Sequence, residues 1–219
     1  MEAEVNKYRR IFLEMGKSLF IAVEGIDRSG KTSLCRLLKE SLMKKGAAVE
    51  QMGYPNRKNK TGELIGRVLS REIELEKEAV HLLFSANRWE ERERLKKALE
   101  PEESRDKIVI CDRYSLSGIA YSISNGVSEE YAKSTEKGIT QPDLTVFLDV
   151  DPETASKRSG FGGEVYETKE FQNRVYREMK KQIDTYKNVV VESSTLEEMH
   201  EKALQSIESL LQEQKENRR

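Results

Sequence analysis

The chain is poor in the residues that would commit it to several common designs. Only two cysteines, Cys35 and Cys111, occur in 219 residues. One sits in a helical pattern and the other ends an apolar strand pattern, with no ligand spacing between them. A disulfide scaffold and a cysteine metal centre are therefore excluded, and two reduced core thiols are expected. Excess charge of one sign is also missing: 38 Lys and Arg face 39 Asp and Glu, a net charge of -1 within a charged fraction of 35%. Such interspersed charge makes no broad basic surface for nucleic acid, so any phosphate recognition must rest on local basic sites. No apolar run reaches the length of a membrane span, and the acidic N-terminal stretch has no signal-peptide core; a cytoplasmic protein without a membrane partner is the expectation. Internal repeats and low-complexity tracts are absent as well.

What the chain does contain is Gly25-Ile26-Asp27-Arg28-Ser29-Gly30-Lys31-Thr32, a complete G-x-x-x-x-G-K-[ST] phosphate loop. It follows a short apolar run at 19–23 and precedes Leu34, Leu37, Leu38 and Leu42 at helical spacing, the strand-to-helix context that the motif requires. Glycines let successive backbone N–H groups turn inward around an anion, Lys31 reaches the β/γ oxygens, and Thr32 offers a hydroxyl to Mg²⁺. Residues 25–32, with Ser33 after them, thus read as a nucleoside triphosphate site.

Strand-like runs recur at 19–23, 47–52, 108–111, 144–148 and 189–191 with helical pattern between them. That alternation predicts an α/β fold, a five-stranded parallel sheet with helices on both faces. Ligands collect at the carboxyl ends of such strands, where this chain carries Glu24-Gly25, Gly53-Tyr54-Pro55-Asn56-Arg57, Asp112-Arg113-Tyr114 and Asp149-Val150-Asp151. One long helix is expected over 79–99, stopped by Pro101. A helix after the fourth strand is expected to run through Arg158, where Ser159-Gly160-Phe161-Gly162-Gly163 would break it and open a small mobile flap at about 159–168. Residues 17–215 fit a single domain able to bury roughly 70–75% of its unfolded surface. Before it lies an appended helical extension at 1–16; Met15 could itself open the domain. The end of the chain is polar from Gln212 onward, with a frayed tail at 216–219.

Six stretches narrow the chemistry: the phosphate loop with Glu24 before it; Tyr54-Pro55-Asn56-Arg57; His81-Leu82-Leu83-Phe84-Ser85-Ala86-Asn87-Arg88-Trp89; Asp112-Arg113-Tyr114-Ser115-Leu116-Ser117-Gly118; Gln141-Pro142-Asp143-Leu144; and Gly162-Gly163-Glu164-Val165-Tyr166-Glu167. In order and spacing they resemble thymidylate kinases, over residues 18 to about 192. The Phe-Ser-Ala-Asn-Arg and Asp-Arg-Tyr-x-x-Ser-Gly stretches are the specific ones, since the phosphate loop is shared far more widely. The resemblance implies a P-loop nucleoside monophosphate kinase that uses ATP and Mg²⁺ to phosphorylate dTMP to dTDP by direct in-line transfer, supplying dTTP synthesis. It also implies a homodimer packed through helices, with the 79–99 helix as a plausible surface.

Phe84 and Arg88 stand i,i+4 on one helix face. Phe84 is either a core residue or a platform for a base whose carbonyl edge takes a donor from Arg88, and the resemblance implies that the base is thymine. Arg57 and Arg113, at the ends of two strands, suit an acceptor that already carries a phosphate, unless each simply pairs with a surface carboxylate. Asp112 either holds Mg²⁺ through water in the manner of a Walker B carboxylate or orients Arg113. The resemblance makes Asp27 an acceptor from the sugar 3′-hydroxyl and includes Tyr54, Gly118 and Gln172 in the substrate-binding set. Tyr166 either packs over the acceptor sugar or acts as a hydrophobic latch, and Arg158 either stacks on adenine or caps its helix. Catalysis falls to Arg28, Lys31 and Asp112, with Arg28 following the transferring phosphoryl group. Relatives with Arg at that loop position usually lack a basic residue in the flap, and 161–168 has none.

Two other functions share the phosphate loop. A deoxynucleoside kinase would need a carboxylate base after the first strand, for which Glu24 is the nominal candidate. A GTP-regulated switch would need an Asn/Thr-Lys-x-Asp motif after a later strand, and none is present.

Overall fold

All six residues of the first strand, β1 (Leu19–Glu24), are buried, so the sheet it belongs to must be covered on both faces. The computed structural model, which describes residues 18–100, 107–158 and 162–217, supplies that cover. β1 is followed by α1 (Lys31–Lys44), β2 (Ala48–Gly53), α2 (Lys60–Leu69), α3 (Lys77–Glu90), α4 (Arg92–Leu99), β3 (Lys107–Asp112), α5 (Ser115–Ser124) and α6 (Glu129–Ser134). Then come β4 (Leu144–Asp149), α7 (Pro152–Ser156), α8 (Lys169–Gln182), a 3₁₀ turn (Ile183–Thr185), β5 (Asn188–Glu192) and α9 (Leu196–Glu216). The strands form one parallel sheet in the order β2-β3-β1-β4-β5, the expected α/β architecture.

Side-chain alternation in β1 divides the core in two. Leu19, Ile21 and Val23 join a large cluster with Leu34, Leu38 and Leu42 of α1, Val175 and Met179 of α8, and Ala203 and Ile207 of α9. Phe20 and Ala22 face a smaller cluster with Leu95 and Ala98 of α4, Val109, Cys111 and Tyr114. Cys35 lies on the first side and Cys111 on the second, both buried and free.

Several boundaries differ from expectation for physical reasons. The single helix at 79–99 is two, broken at Glu91 (φ -92°, ψ 1°). Its halves have different partners, because α3 packs on α2 and α5 while α4 packs on β3, and one straight rod cannot serve both. Helix α7 stops at Ser156, short of Arg158, and α9 continues through Gln212 to Glu216. A capping box holds the start of α9: Thr195 Oγ1 accepts from Glu198 N and Glu198 Oε2 accepts from Thr195 N. The extension at 1–16, Pro101, the first three residues of the flap and the last two of the tail lie outside the described residues.

Register brings the functional loops level. Asp112 of β3 pairs with both Val23 of β1 and Gly53 of β2, so 24–32, 54–57 and 113–118 all leave the sheet along one edge. The α1 face that supports this edge should be sensitive: Leu38 is fully buried, and Leu38→Ala should cost about 2–5 kcal/mol. Urea unfolding should show a lower midpoint with an unchanged slope, and an unchanged midpoint would refute the packing.

Candidate active site

At the end of β1 the chain turns through Gly25, φ +151°. A Cβ there would meet Ser29 Oγ at 2.8 Å and the Leu148 carbonyl at 3.1 Å, which leaves room for glycine alone. The loop then curls until α1 begins at Lys31. Ile26 and Ser29 are buried beneath it, whereas Asp27, Arg28, Gly30, Lys31, Thr32 and Ser33 line a cavity of about 840 Å³ along the strand ends. Lys31 Nζ folds over the loop, donating to the Ile26 carbonyl and to Ser29 Oγ. Burial, and then the neighbouring Arg113 charge, lower its pKa to about 8. Thr32 Oγ1 donates to Asp112 Oδ2 at 2.6 Å.

Arg113 occupies the centre. Its backbone is left-handed, φ 65°, a conformation that non-glycine residues hold only when their surroundings dictate it. Its guanidinium donates to the Gly25 carbonyl at 2.8 Å and to Ser117 Oγ at 3.2 Å, pairs with Asp27, and lies 5.3 Å from the Tyr121 ring centroid. Asp27 and the loop hold Arg113 by direct contact, and the Asp112 charge acts on it as well. Burial works against the Asp27 carboxylate, but Arg113 and Lys31 outweigh it and lower its pKa. Gln172 closes the group from α8: its Oε1 accepts from Asp27 N at 2.9 Å and its Nε2 donates to Asp27 Oδ2 at 2.7 Å. Gln172 is fully buried and, like Gly25, Ile26 and Ser29, does not line the cavity; it holds Asp27.

Another part of the cavity wall is built by α3 and the loop after β2. Phe84 is half-buried, outside every core cluster, and lines the cavity with Tyr54, Arg57, Arg88, Gly118 and Tyr166. The core reading of Phe84 therefore fails. Arg88 is buried against Gly118, where a Cβ would lie 2.3 Å from its Nη2. Arg57 pairs with Glu164 of the flap, and Arg28, also left-handed at φ 61°, donates from Nε to Glu167 Oε1 at 3.3 Å. Glu167 Oε2 in turn accepts from the backbone N–H of Gly162 and Gly163 at 3.0 and 2.8 Å, so the described part of the flap folds around that carboxylate. Tyr166 stacks on Phe171, with ring centroids 4.7 Å apart. Arg158 Nη1 donates to the Arg28 carbonyl at 2.6 Å and so crosses the phosphate loop rather than capping α7.

Two buried residues have roles that the sequence did not show. Glu24, the nominal base, is 1% exposed and is absent from the cavity wall. Its carboxylate accepts from Tyr114 N at 2.8 Å, from Ser117 N at 3.2 Å and from Ser117 Oγ. Burial raises its pKa. It is a tie between β1 and the start of α5, with no reach to an acceptor. Asn87, also fully buried, accepts from Asn56 N at 2.8 Å and donates to Asn56 O, Asn59 Oδ1 and Thr61 Oγ1; it fixes the loop that carries Arg57. Its place in the Phe-Ser-Ala-Asn-Arg stretch was the available signal.

Residues 23–207 match the family model for thymidylate kinase. Thymidylate kinase of Danio rerio is 38% identical over 188 residues, 84% of this chain and 87% of that one. The Arabidopsis thaliana thymidylate kinase is 36% identical over 191 residues, 87% of this chain and 71% of that one. A solved structure of thymidylate kinase from Candida albicans aligns with a TM-score of 0.76 at 31% identity, covering 91% of this chain and 94% of that one. The family match thus extends from the end of β1 to the middle of α9, with the fold in agreement, and the chain belongs to the thymidylate kinase family.

Proposed function

We propose that the protein transfers the γ-phosphoryl group of ATP to dTMP, giving dTDP, by direct in-line displacement in the cleft described above. The observation that carries this reading is that a half-buried aromatic residue and a buried arginine of α3, Phe84 and Arg88, line the same cavity as the phosphate loop, Arg57 and Arg113. A base stacked on Phe84 with its carbonyl edge toward Arg88 directs the attached phosphate toward Arg57 and Arg113 and on to the loop. Asp27 takes the sugar hydroxyl, Tyr166 packs above the sugar, and Arg158, lying across the loop, faces the adenine side. Nucleophile and phosphoryl donor are then held together with no covalent intermediate, and the rate comes from positioning and charge stabilisation.

The donor set suits Mg²⁺, because Thr32 Oγ1 and the Asp112 carboxylate are hard oxygen ligands side by side at the phosphate loop. These two residues would hold the ion, which supplies charge neutralisation at the β- and γ-oxygens when bound. Lys31 binds those same oxygens, exchanging its loop carbonyl for phosphate. Arg28 neutralises charge on the γ-phosphoryl group as it moves. We further propose a cytoplasmic homodimer formed through the α2–α3 side, where Leu64, Leu75 and Leu82 are each more than 40% exposed. Among the described residues no helix is long and apolar enough to cross a membrane.

Three measurements test this function. In an acceptor panel with ATP, dTMP should exceed dCMP, dAMP and dGMP by on the order of 10²-fold or more in kcat/KM, since a buried donor left unpaired is costly; dCMP as the best acceptor would sink the assignment of Phe84 and Arg88. Arg57→Ala removes a guanidinium that reaches the phosphate site without supporting the loop, as Arg113 does. It should raise the KM for dTMP roughly 10–100-fold and leave the KM for ATP unchanged, whereas a selective loss of ATP affinity would move Arg57 to the donor half. Arg28→Ala should lower kcat roughly 10²-fold or more with smaller changes in both KM values, because its charge acts mainly in the transition state. A normal kcat in that variant would assign catalysis to other groups.

A further inference from the structure

Arg88 has a partner that phosphoryl transfer itself does not use. Glu136 lies after α6, 48 residues away in the chain, and its carboxylate takes two of the three guanidinium nitrogens: Nε donates to Oε2 at 2.8 Å and Nη2 donates to Oε1. The two side chains are 3% and 4% exposed, so the pair is out of reach of bulk water. The segment bearing Glu136 is clasped to α3 through its neighbour. Thr135 receives Ser85 Oγ and Trp89 Nε1 at its carbonyl, 3.2 and 2.8 Å away, and its hydroxyl meets His81 Nε2 at 2.7 Å. Three side chains of the helix that carries Arg88 therefore fix the position of its counter-ion. The missing side chain of Gly118 makes room for the guanidinium, since a Cβ there would lie 2.3 Å from Nη2 and 2.8 Å from Nη1.

We propose that Glu136 is a positioning residue for base recognition. By engaging Nε and Nη2 it leaves Nη1 of Arg88 as the donor for a base carbonyl, and it keeps the base end of the cleft free of net charge. A buried arginine without this partner would be an anion site and would compete with Arg57 and Arg113 for the acceptor phosphate. With the partner in place the cleft is polarised: the base end presents a sealed neutral pair, whereas Arg57 at the other end holds only an exposed partner that a phosphate can displace, and the acceptor enters in one orientation. Burial alone would disfavour the Arg88 charge, but Glu136 outweighs it and raises the guanidinium pKa. The donor is thus permanent.

This inference rests on the dTMP reading above, and the experiment separates the two. Failure of the wild-type enzyme to phosphorylate dTMP would overturn that reading, and this one with it. In an active enzyme, Glu136→Gln is compared with wild type for the KM of dTMP, the KM of ATP, and the inhibition constant of 2-deoxyribose 5-phosphate, which offers sugar and phosphate but no base. The expected result is a KM for dTMP raised at least roughly tenfold, with the ATP KM within about twofold of wild type and the deoxyribose phosphate constant unchanged or lower, because the unpaired Arg88 becomes a second anion site. Equal weakening of dTMP and deoxyribose phosphate, or an unchanged KM for dTMP, would make Glu136 a purely structural support and overturn the proposal. If the Gln variant does not fold, Glu136→Asp keeps the charge but is too short to hold both nitrogens in the same place, and the same three constants decide.

Discussion

The constraint on which the rest of the cleft depends is electrostatic: a site that must receive several negative charges has to store positive charge at the strand ends, and that charge must be compensated while no substrate is bound. Like charges gathered in a partly dehydrated cavity repel each other and resist burial. The lowered pKa of Lys31, caused by burial and by Arg113, is a direct sign of that stress. The fold answers with carboxylates for four of the cavity's arginines: Asp27 for Arg113, Glu136 for Arg88, Glu164 for Arg57 and Glu167 for Arg28.

These pairs are not equivalent, and their burial follows their tasks. Arg88–Glu136 is sealed, and breaking such a pair is strongly destabilising because the remaining charge has no solvent to turn to. A permanent pair suits the reading of a neutral base. Arg57–Glu164 lies at the other limit, exposed on both sides, and an exposed pair contributes only about 0–1 kcal/mol. A phosphate dianion can displace so weak a partner with little opposition. Arg113–Asp27 is intermediate, but the Gly25 carbonyl, Ser117 and Tyr121 also hold the arginine, so a ligand can engage it without moving it. In the proposed function one residue type would thus serve for base reading, anchoring and exchange, with the counter-ion's burial setting which.

The features legible in the sequence were those carried by short contiguous segments. A phosphate loop between an apolar strand and an amphipathic helix is a local pattern, and so were the five strands and the arginines just beyond two of them. The sheet edge then followed from the rule that ligands gather at carboxyl ends. Interactions between distant segments were not legible. Nothing near Arg88 announces Glu136, and nothing near Asp27 announces that both of its carboxylate oxygens are taken, by Arg113 and Gln172. The same limit explains the helix break at Glu91: periodicity shows that 79–99 is helical, but not that its two halves face different neighbours.

Glu24 shows how such a long-range tie bears on mechanism. A carboxylate directly after the first strand invites the role of general base, and a kinase acting on an uncharged hydroxyl would need one there. Here three donors from the turn into α5 take its oxygens, and burial raises its pKa, so proton abstraction from a substrate would require dismantling the tie between β1 and the start of α5. An acceptor that is itself a phosphate monoester removes the need. With a second pKa near 6, about nine-tenths of it is already a dianion at neutral pH, and its oxygen attacks without surrendering a proton. Freed from acid–base work, the carboxylate at the end of β1 serves instead to tie β1 to the start of α5, beside the arginine proposed to meet the phosphate.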